Sequence, residues 1–110
     1  MSGSKRIVWL NAAVSDLARL REFLRVNNAA AAERAGKRII LAVDKISAYP
    51  SLGRPVLDIE RKQAFRDVFI PFAQGGYWLR YAVTKDEIVL VRIWHGRENR
   101  ESFGNGGESA

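Results

Sequence analysis

The 110-residue sequence has no cysteine and a single histidine, His95. Without a thiol there is no disulfide framework, no cysteine nucleophile and no thiolate metal site. With one imidazole a histidine-rich zinc site is excluded as well, and neither a metal nor a cofactor is expected. No apolar run approaches the ~18 residues a membrane helix needs, and the first residues lack the apolar stretch of a signal peptide. No membrane association is expected, and the absence of cysteine is compatible with a cytoplasmic location. Acid is also short relative to base: 12 Asp and Glu stand against 18 Lys and Arg, a formal charge of +6. Thirteen of those 18 are arginine. Arginine's planar fork suits carboxylate and phosphate recognition better than a lysine point charge does. A basic chain of this kind calls for an acidic partner, either nucleic acid or an acidic protein segment.

What is present is the pattern of one α+β domain over residues 1–100, with a glycine-rich, flexible tail expected over 101–110. Lys5–Leu10 holds Ile7, Val8 and Trp9 and reads as a strand. Asn11 is placed to cap a helix over about 12–26, in which Val14, Leu17, Leu20 and Leu24 recur at helical spacing. Asp16 is then expected in the first turn of that helix and Arg25 in the last, where each suits the dipole. A second helix over 29–48 carries the stripe Ala32, Ala35, Ile39, Ala42, Val43 and Ile46, and Gly36 allows close approach to the first. Pro50, Gly53 and Pro55 punctuate the chain after it. Three strand-like runs follow, 64–72, 76–83 and 87–95, with connections short enough for hairpins. The expected fold is β-α-α-β-β-β: a helical hairpin on one face of a mostly antiparallel four-stranded sheet.

Strict alternation along the last two strands places Tyr77, Leu79, Tyr81 and Val83 with Val89, Val91 and Ile93 against the helices. It leaves Trp78, Arg80 and Ala82 with Ile88, Leu90, Arg92 and Trp94 on the open face. Tryptophan mixed with arginine on an uncovered sheet is the composition of an interface. A structural reading stands beside it: the arginines can pair with acids across the sheet, and the tryptophans can pack beneath the tail.

Four stretches give the chain a resemblance to the RelE/ParE superfamily, the toxins of bacterial type II toxin–antitoxin, or plasmid-stabilisation, modules. They are Ala12-x-x-x-Asp16-Leu17 after the first strand, and the turn Pro50-Ser51-Leu52-Gly53-Arg54-Pro55. Then come Arg66-x-x-x-Ile70-Pro71-Phe72 with Gly76-Tyr77-x-Leu79-x-Tyr81, and Val91-Arg92-Ile93-Trp94-His95-Gly96-Arg97-Glu98. The resemblance spans about residues 6–100 and implies the same β-α-α-β-β-β order. It also implies one of two activities. The RelE-like branch consists of ribosome-dependent mRNA endoribonucleases; Arg66 and Arg97 fall where basic residues of that branch lie, while His95 lies several residues before the place of its C-terminal tyrosine or histidine. That branch typically has an arginine where Trp78 stands, and a tryptophan neither bridges phosphate nor transfers a proton. The ParE-like branch binds and inhibits DNA gyrase, and the I-P-F, G-Y-W-L-R-Y and W-H-G-R-E runs look more like it. The expected function is therefore a ParE-like growth-arresting toxin without catalytic residues, neutralised by a cognate acidic antitoxin. Trp78, Arg80, Arg92, Trp94 and Arg97 are the expected antitoxin- or target-binding residues. The alternatives are an mRNA endoribonuclease acting at the ribosome through Arg66, Arg97 and His95, and a non-toxic basic binding module.

Overall fold

The computed structural model describes residues 4–56 and 64–96. The elements run β1 (Arg6–Trp9), α1 (Asn11–Asn27), α2 (Ala29–Ala48), a 3-10 turn (Pro50–Leu52), β2 (Arg54–Val56), β3 (Phe65–Phe72), β4 (Gly75–Val83) and β5 (Glu87–His95). The Arg97 position, the residues 57–63 and the expected tail at 101–110 lie outside the described residues.

Both helices form where the 3.6-residue spacing places them. In α2 the expected stripe is the observed one: Ala32, Ala35, Ile39, Val43 and Ile46 are buried and Ala42 packs against the core they join. In α1 Ala13, Asp16 and Leu20 are buried, while Val14 remains half exposed. Asn11 is not the cap: the cap position is Leu10, with no side-chain bond, and Asn11 is the first helical residue. Asp16 is not in the first turn, which contains no acid. Asn28, extended at φ −162°, is the C-cap of α1 and the N-cap of α2, and its side chain accepts from the Ala31 amide at 3.1 Å. One residue thus separates the helices and satisfies a donor that would otherwise be orphaned.

The helices pack on a mixed sheet of five strands, ordered β1-β5-β4-β3-β2. The expectation of four strands missed β2, three residues that pair antiparallel with β3 (Arg54 with Asp67, Val56 with Phe65). Its Pro55 cannot donate to a ladder, and the strand is accordingly an edge. β1 pairs parallel with β5, Arg6 with Glu87 through Trp9 with Leu90.

A bulge corrects the expected facing of β5. Arg80 pairs with Arg92, but Tyr81 pairs with Leu90, so Val91 is an extra residue. One inserted residue reverses the inside–outside phase of everything before it on that strand. Ile88 and Leu90, expected on the open face, are therefore fully buried and join Ile93, Leu79, Tyr81 and Tyr77 in the core against the helices. Val83, expected in the core, is 38% exposed at the strand end.

Candidate functional site

The face of the sheet away from the hydrophobic core is built as a column of aromatic side chains. Phe69 of β3 pairs in register with Trp78 of β4, and Trp78 with Trp94 of β5. The Phe69 and Trp78 rings lie 5.1 Å apart at 58°, a tilted contact that favours aromatic pairs. Next to the column, Asp67 receives both arms of the Arg80 guanidinium at 2.8 and 2.9 Å. The same guanidinium stands 5.4 Å from the centre of the Trp94 ring, within cation–π range.

Arg80 is only 8% exposed and Trp94 is not exposed at all. Arg92 turns the other way. Its guanidinium grips Asp16 of α1 with bonds of 2.8 and 3.0 Å. The expected set Trp78, Arg80, Arg92 and Trp94 therefore does not stand together in solvent. Of the column, Phe69 is 41% exposed and Trp78 is half-buried.

The two candidates for nuclease chemistry that lie among the described residues are held apart. Arg66 donates to the carbonyl oxygens of Gly53 at 2.6 Å and Ser51 at 3.3 Å, bracing the turn that precedes β2. That turn is fastened from beneath by Tyr81, whose hydroxyl donates to the Pro50 carbonyl at 2.7 Å and accepts from the Gly53 amide at 2.8 Å. Burial raises the Tyr81 pKa above its ordinary value, and the Gly53 amide only partly offsets it. His95 lies towards the other end of the sheet, with its ring edge-on to Tyr77 at 5.6 Å. Arg66 pairs with Tyr81 and His95 with Tyr77, four residues apart on β4. Extended chain makes that about 13 Å along the strand. A general base and a phosphate-binding arginine have to converge on one reacting group, and these two do not.

A groove of about 660 Å³ opens at the His95 end, a feature sequence reasoning missed. The last turns of α1 form one wall with Leu20, Phe23 and Leu24, and the β3–β4 turn forms the other with Phe72 to Gly76; Tyr77 and His95 are at its floor. Phe23 is 69% exposed. Only the helical wall has a local signal: Phe23 lies three residues after Leu20 and Leu24 four after it, the spacing of one helix face. Ala73 in the opposite wall has φ +55°, in the left-handed region, which costs a residue with a Cβ roughly 1 kcal/mol or more.

Among the described residues no three His, Asp or Glu side chains are grouped to hold a metal ion, and no helix is long and apolar enough to cross a membrane.

Residues 7–100 match the family model of the ParE toxin of the type II toxin–antitoxin system parDE. The chain belongs to the ParE toxin family. Its similarity extends to curated relatives from Caulobacter vibrioides. It is 35% identical over 85 residues to Toxin RelE1, covering 77% of this chain and 86% of that protein. To Toxin RelE2 it is 30% identical over 90 residues, covering 82% and 93%. A solved structure of the chromosomal ParDE system from P. aeruginosa superposes on 86% of this chain and 98% of its own with a TM-score of 0.65 at 20% identity. That likeness is one of fold. The chain is thus a type II toxin of the ParE/RelE family, and such a family implies a cognate antitoxin.

Proposed function

We propose that this ParE-family chain arrests growth by binding and inhibiting DNA gyrase, without chemistry of its own, until a cognate antitoxin captures it. The observation that carries the reading is the separation of Arg66 from His95. Arg66 is spent on the Ser51 and Gly53 carbonyls, and His95 lies about 13 Å further along the sheet at the rise of an extended strand. Trp78 supports it too, because it occupies the position where the nuclease branch typically has an arginine, and an indole neither bridges a phosphate nor transfers a proton.

The exposed edge of the aromatic column, Phe69 with Trp78, is the surface we assign to the target. Arg80 and Trp94 act behind it, one holding Asp67 and the other filling the space under the guanidinium. Rigid aromatic side chains backed by a fixed ion pair are the anchors from which binding hot spots are made.

Purified gyrase decides the matter. Supercoiling should fall and cleaved complexes should accumulate as the toxin is titrated. Unaffected supercoiling at saturating protein, with new 5′ ends on translated messages during arrest, would establish the endoribonuclease reading in its place.

A further inference from the structure

The solvent side of α2 carries a row of cations that neither the core nor the groove uses. Arg34, Arg38 and Lys45 are exposed, and their separations of four, seven and eleven residues put them on one line of the helix. That line is about 16 Å long at the rise of an α-helix. No acid lies on it. Glu33 and Asp44 each precede a member of the row by one position, which turns them about 100° aside, and Glu33 faces α1. Elsewhere on the hairpin such charge is balanced, as where Arg25 pairs with Glu22 three residues before it. Among the described residues neither Arg34 nor Lys45 has an ion-pair partner. Arg38 donates to the Pro71 carbonyl oxygen at 2.9 Å, which occupies only part of a guanidinium's donor set.

From this geometry we propose that the α2 row binds the phosphate backbone of duplex DNA, without reading its sequence. Phosphates of one strand advance about 3.4 Å each along the duplex axis, so the row faces about five of them. Neutralising them releases condensed counterions, the chief source of sequence-independent affinity. A protein partner is disfavoured. The row has no aromatic anchor of the kind that carries protein–protein binding, and Leu41 beside it lines the groove against α1. DNA-binding surfaces are more polar and more positive than protein interfaces, as this one is. The inference deepens the gyrase reading and rests on it for one point, the choice of nucleic acid, since gyrase acts on duplex DNA.

The row is also tied to the surface assigned to gyrase. Pro71, which takes the Arg38 bond, lies two residues beyond Phe69 on β3. The helix and the Phe69–Trp78 column are on opposite faces of the sheet, so one contact does not cover the other. A toxin seated on the enzyme through the column holds the row at a fixed distance from it, and the DNA that gyrase carries supplies the phosphates. Two linked contacts favour gyrase on DNA over gyrase alone through effective concentration, even where the DNA contact is weak by itself.

Fluorescence anisotropy of a short labelled DNA duplex, with the purified full chain and no gyrase, tests the row. The logarithm of affinity should fall with the logarithm of salt concentration, by about 0.9 for each phosphate neutralised. Arg34→Gln and Lys45→Gln should each flatten that slope by about 0.9, and the double variant by about 1.8. Lys85→Gln, which removes the same charge from the exposed β4–β5 connection, should leave the slope unchanged. Arg34 and Lys45 are exposed and glutamine is a comparable helix former, so the variants should keep their fold, which circular dichroism checks. An unchanged slope in the double variant would overturn the inference, as would equal or tighter binding to an RNA hairpin or to polyglutamate. In supercoiling assays the double variant should inhibit gyrase less than wild type does, and the gap should close as salt is raised. If the wild-type chain binds the duplex with the expected slope but leaves gyrase unaffected, the gyrase reading has failed and the DNA-binding row stands.

Discussion

Asp16 and Arg92, 76 positions apart in sequence, form one bidentate pair, and Asp16 also accepts the backbone amide of Ile93 at 2.8 Å. The carboxylate is buried, and it meets β5 immediately after the extra residue Val91. A single side chain of α1 thus fixes both the helix on the sheet and the end of the bulge.

Replacing Asp16 should be among the most damaging single changes in the molecule. Asp16→Ala removes the carboxylate that holds the Arg92 guanidinium, 23% exposed at its side chain, and that accepts the buried Ile93 amide. The loss should be about 2–4 kcal/mol, the range for stranding partners of a partly buried ion pair. Urea unfolding of the variant measures it, and a loss under 1 kcal/mol would show that the bulge holds itself.

Gly53 has little room for a side chain. An added Cβ would stand 2.8 Å from the Tyr81 hydroxyl and 2.9 Å from the Asp67 carbonyl oxygen. Gly53→Ala should cost about 1–3 kcal/mol through overpacking and a displaced hydroxyl. Thermal unfolding should show a lowered midpoint, and the loss should shrink in a Tyr81→Phe background, where part of the obstruction is gone.

Alkaline stability should depend on the buried tyrosines. Burial raises the pKa of Tyr77 and Tyr81 above the ordinary value of 10.0. The unfolded chain then releases these protons first, so the stabilisation is complete below about pH 10 and disappears as pH climbs through the folded-state values. Unfolding free energy measured from pH 8 to 12 should decline above pH 10. The decline should be shallower in Tyr81→Phe, and an unchanged slope would mean that other groups drive alkaline unfolding.

Phe69→Ala should separate target from antitoxin. Gyrase inhibition should weaken about tenfold, the effect of removing an interface aromatic, while affinity for the antitoxin changes much less. Equal losses of both activities would place the two partners on one surface.

His95→Ala should leave growth arrest intact, provided the variant keeps its fold without the ring contact to Tyr77. Arrest is scored in culture and fold by circular dichroism. A folded, non-toxic variant that no longer generates RNA ends would make His95 a catalytic residue.

Much of this architecture can be read from the sequence, and the parts that cannot have particular causes. The α2 stripe was legible because six apolar residues repeat at one spacing with polar residues between them. β2 was not, since a three-residue strand containing Pro55 looks like the turn it adjoins. The bulge is hidden because Ile88 to Val91 are all apolar and satisfy either phase. Of the candidate site, Trp78 and the cross-strand role of Arg80 were visible, the latter as one of two open readings. The groove was not, because it joins a helix end to a distant hairpin, and no local pattern encodes that meeting. The parallel partner of β1 is hidden for the same reason.

That parallel pairing bears on synthesis. β1 leaves the ribosome first, yet its hydrogen-bonding neighbour is β5, whose last paired residue in that ladder is Leu90. Contacts so distant in sequence close late. The meander β3–β4–β5 forms from neighbouring segments, and the N-terminal strand docks only when the whole of it has emerged. A nascent or truncated chain lacking β5 therefore lacks the seat of β1, the Asp16 anchor and the His95 floor of the groove together. Toxicity should accordingly arrive only with β5, and a translation product that stops short of it should leave growth of the cell unaffected.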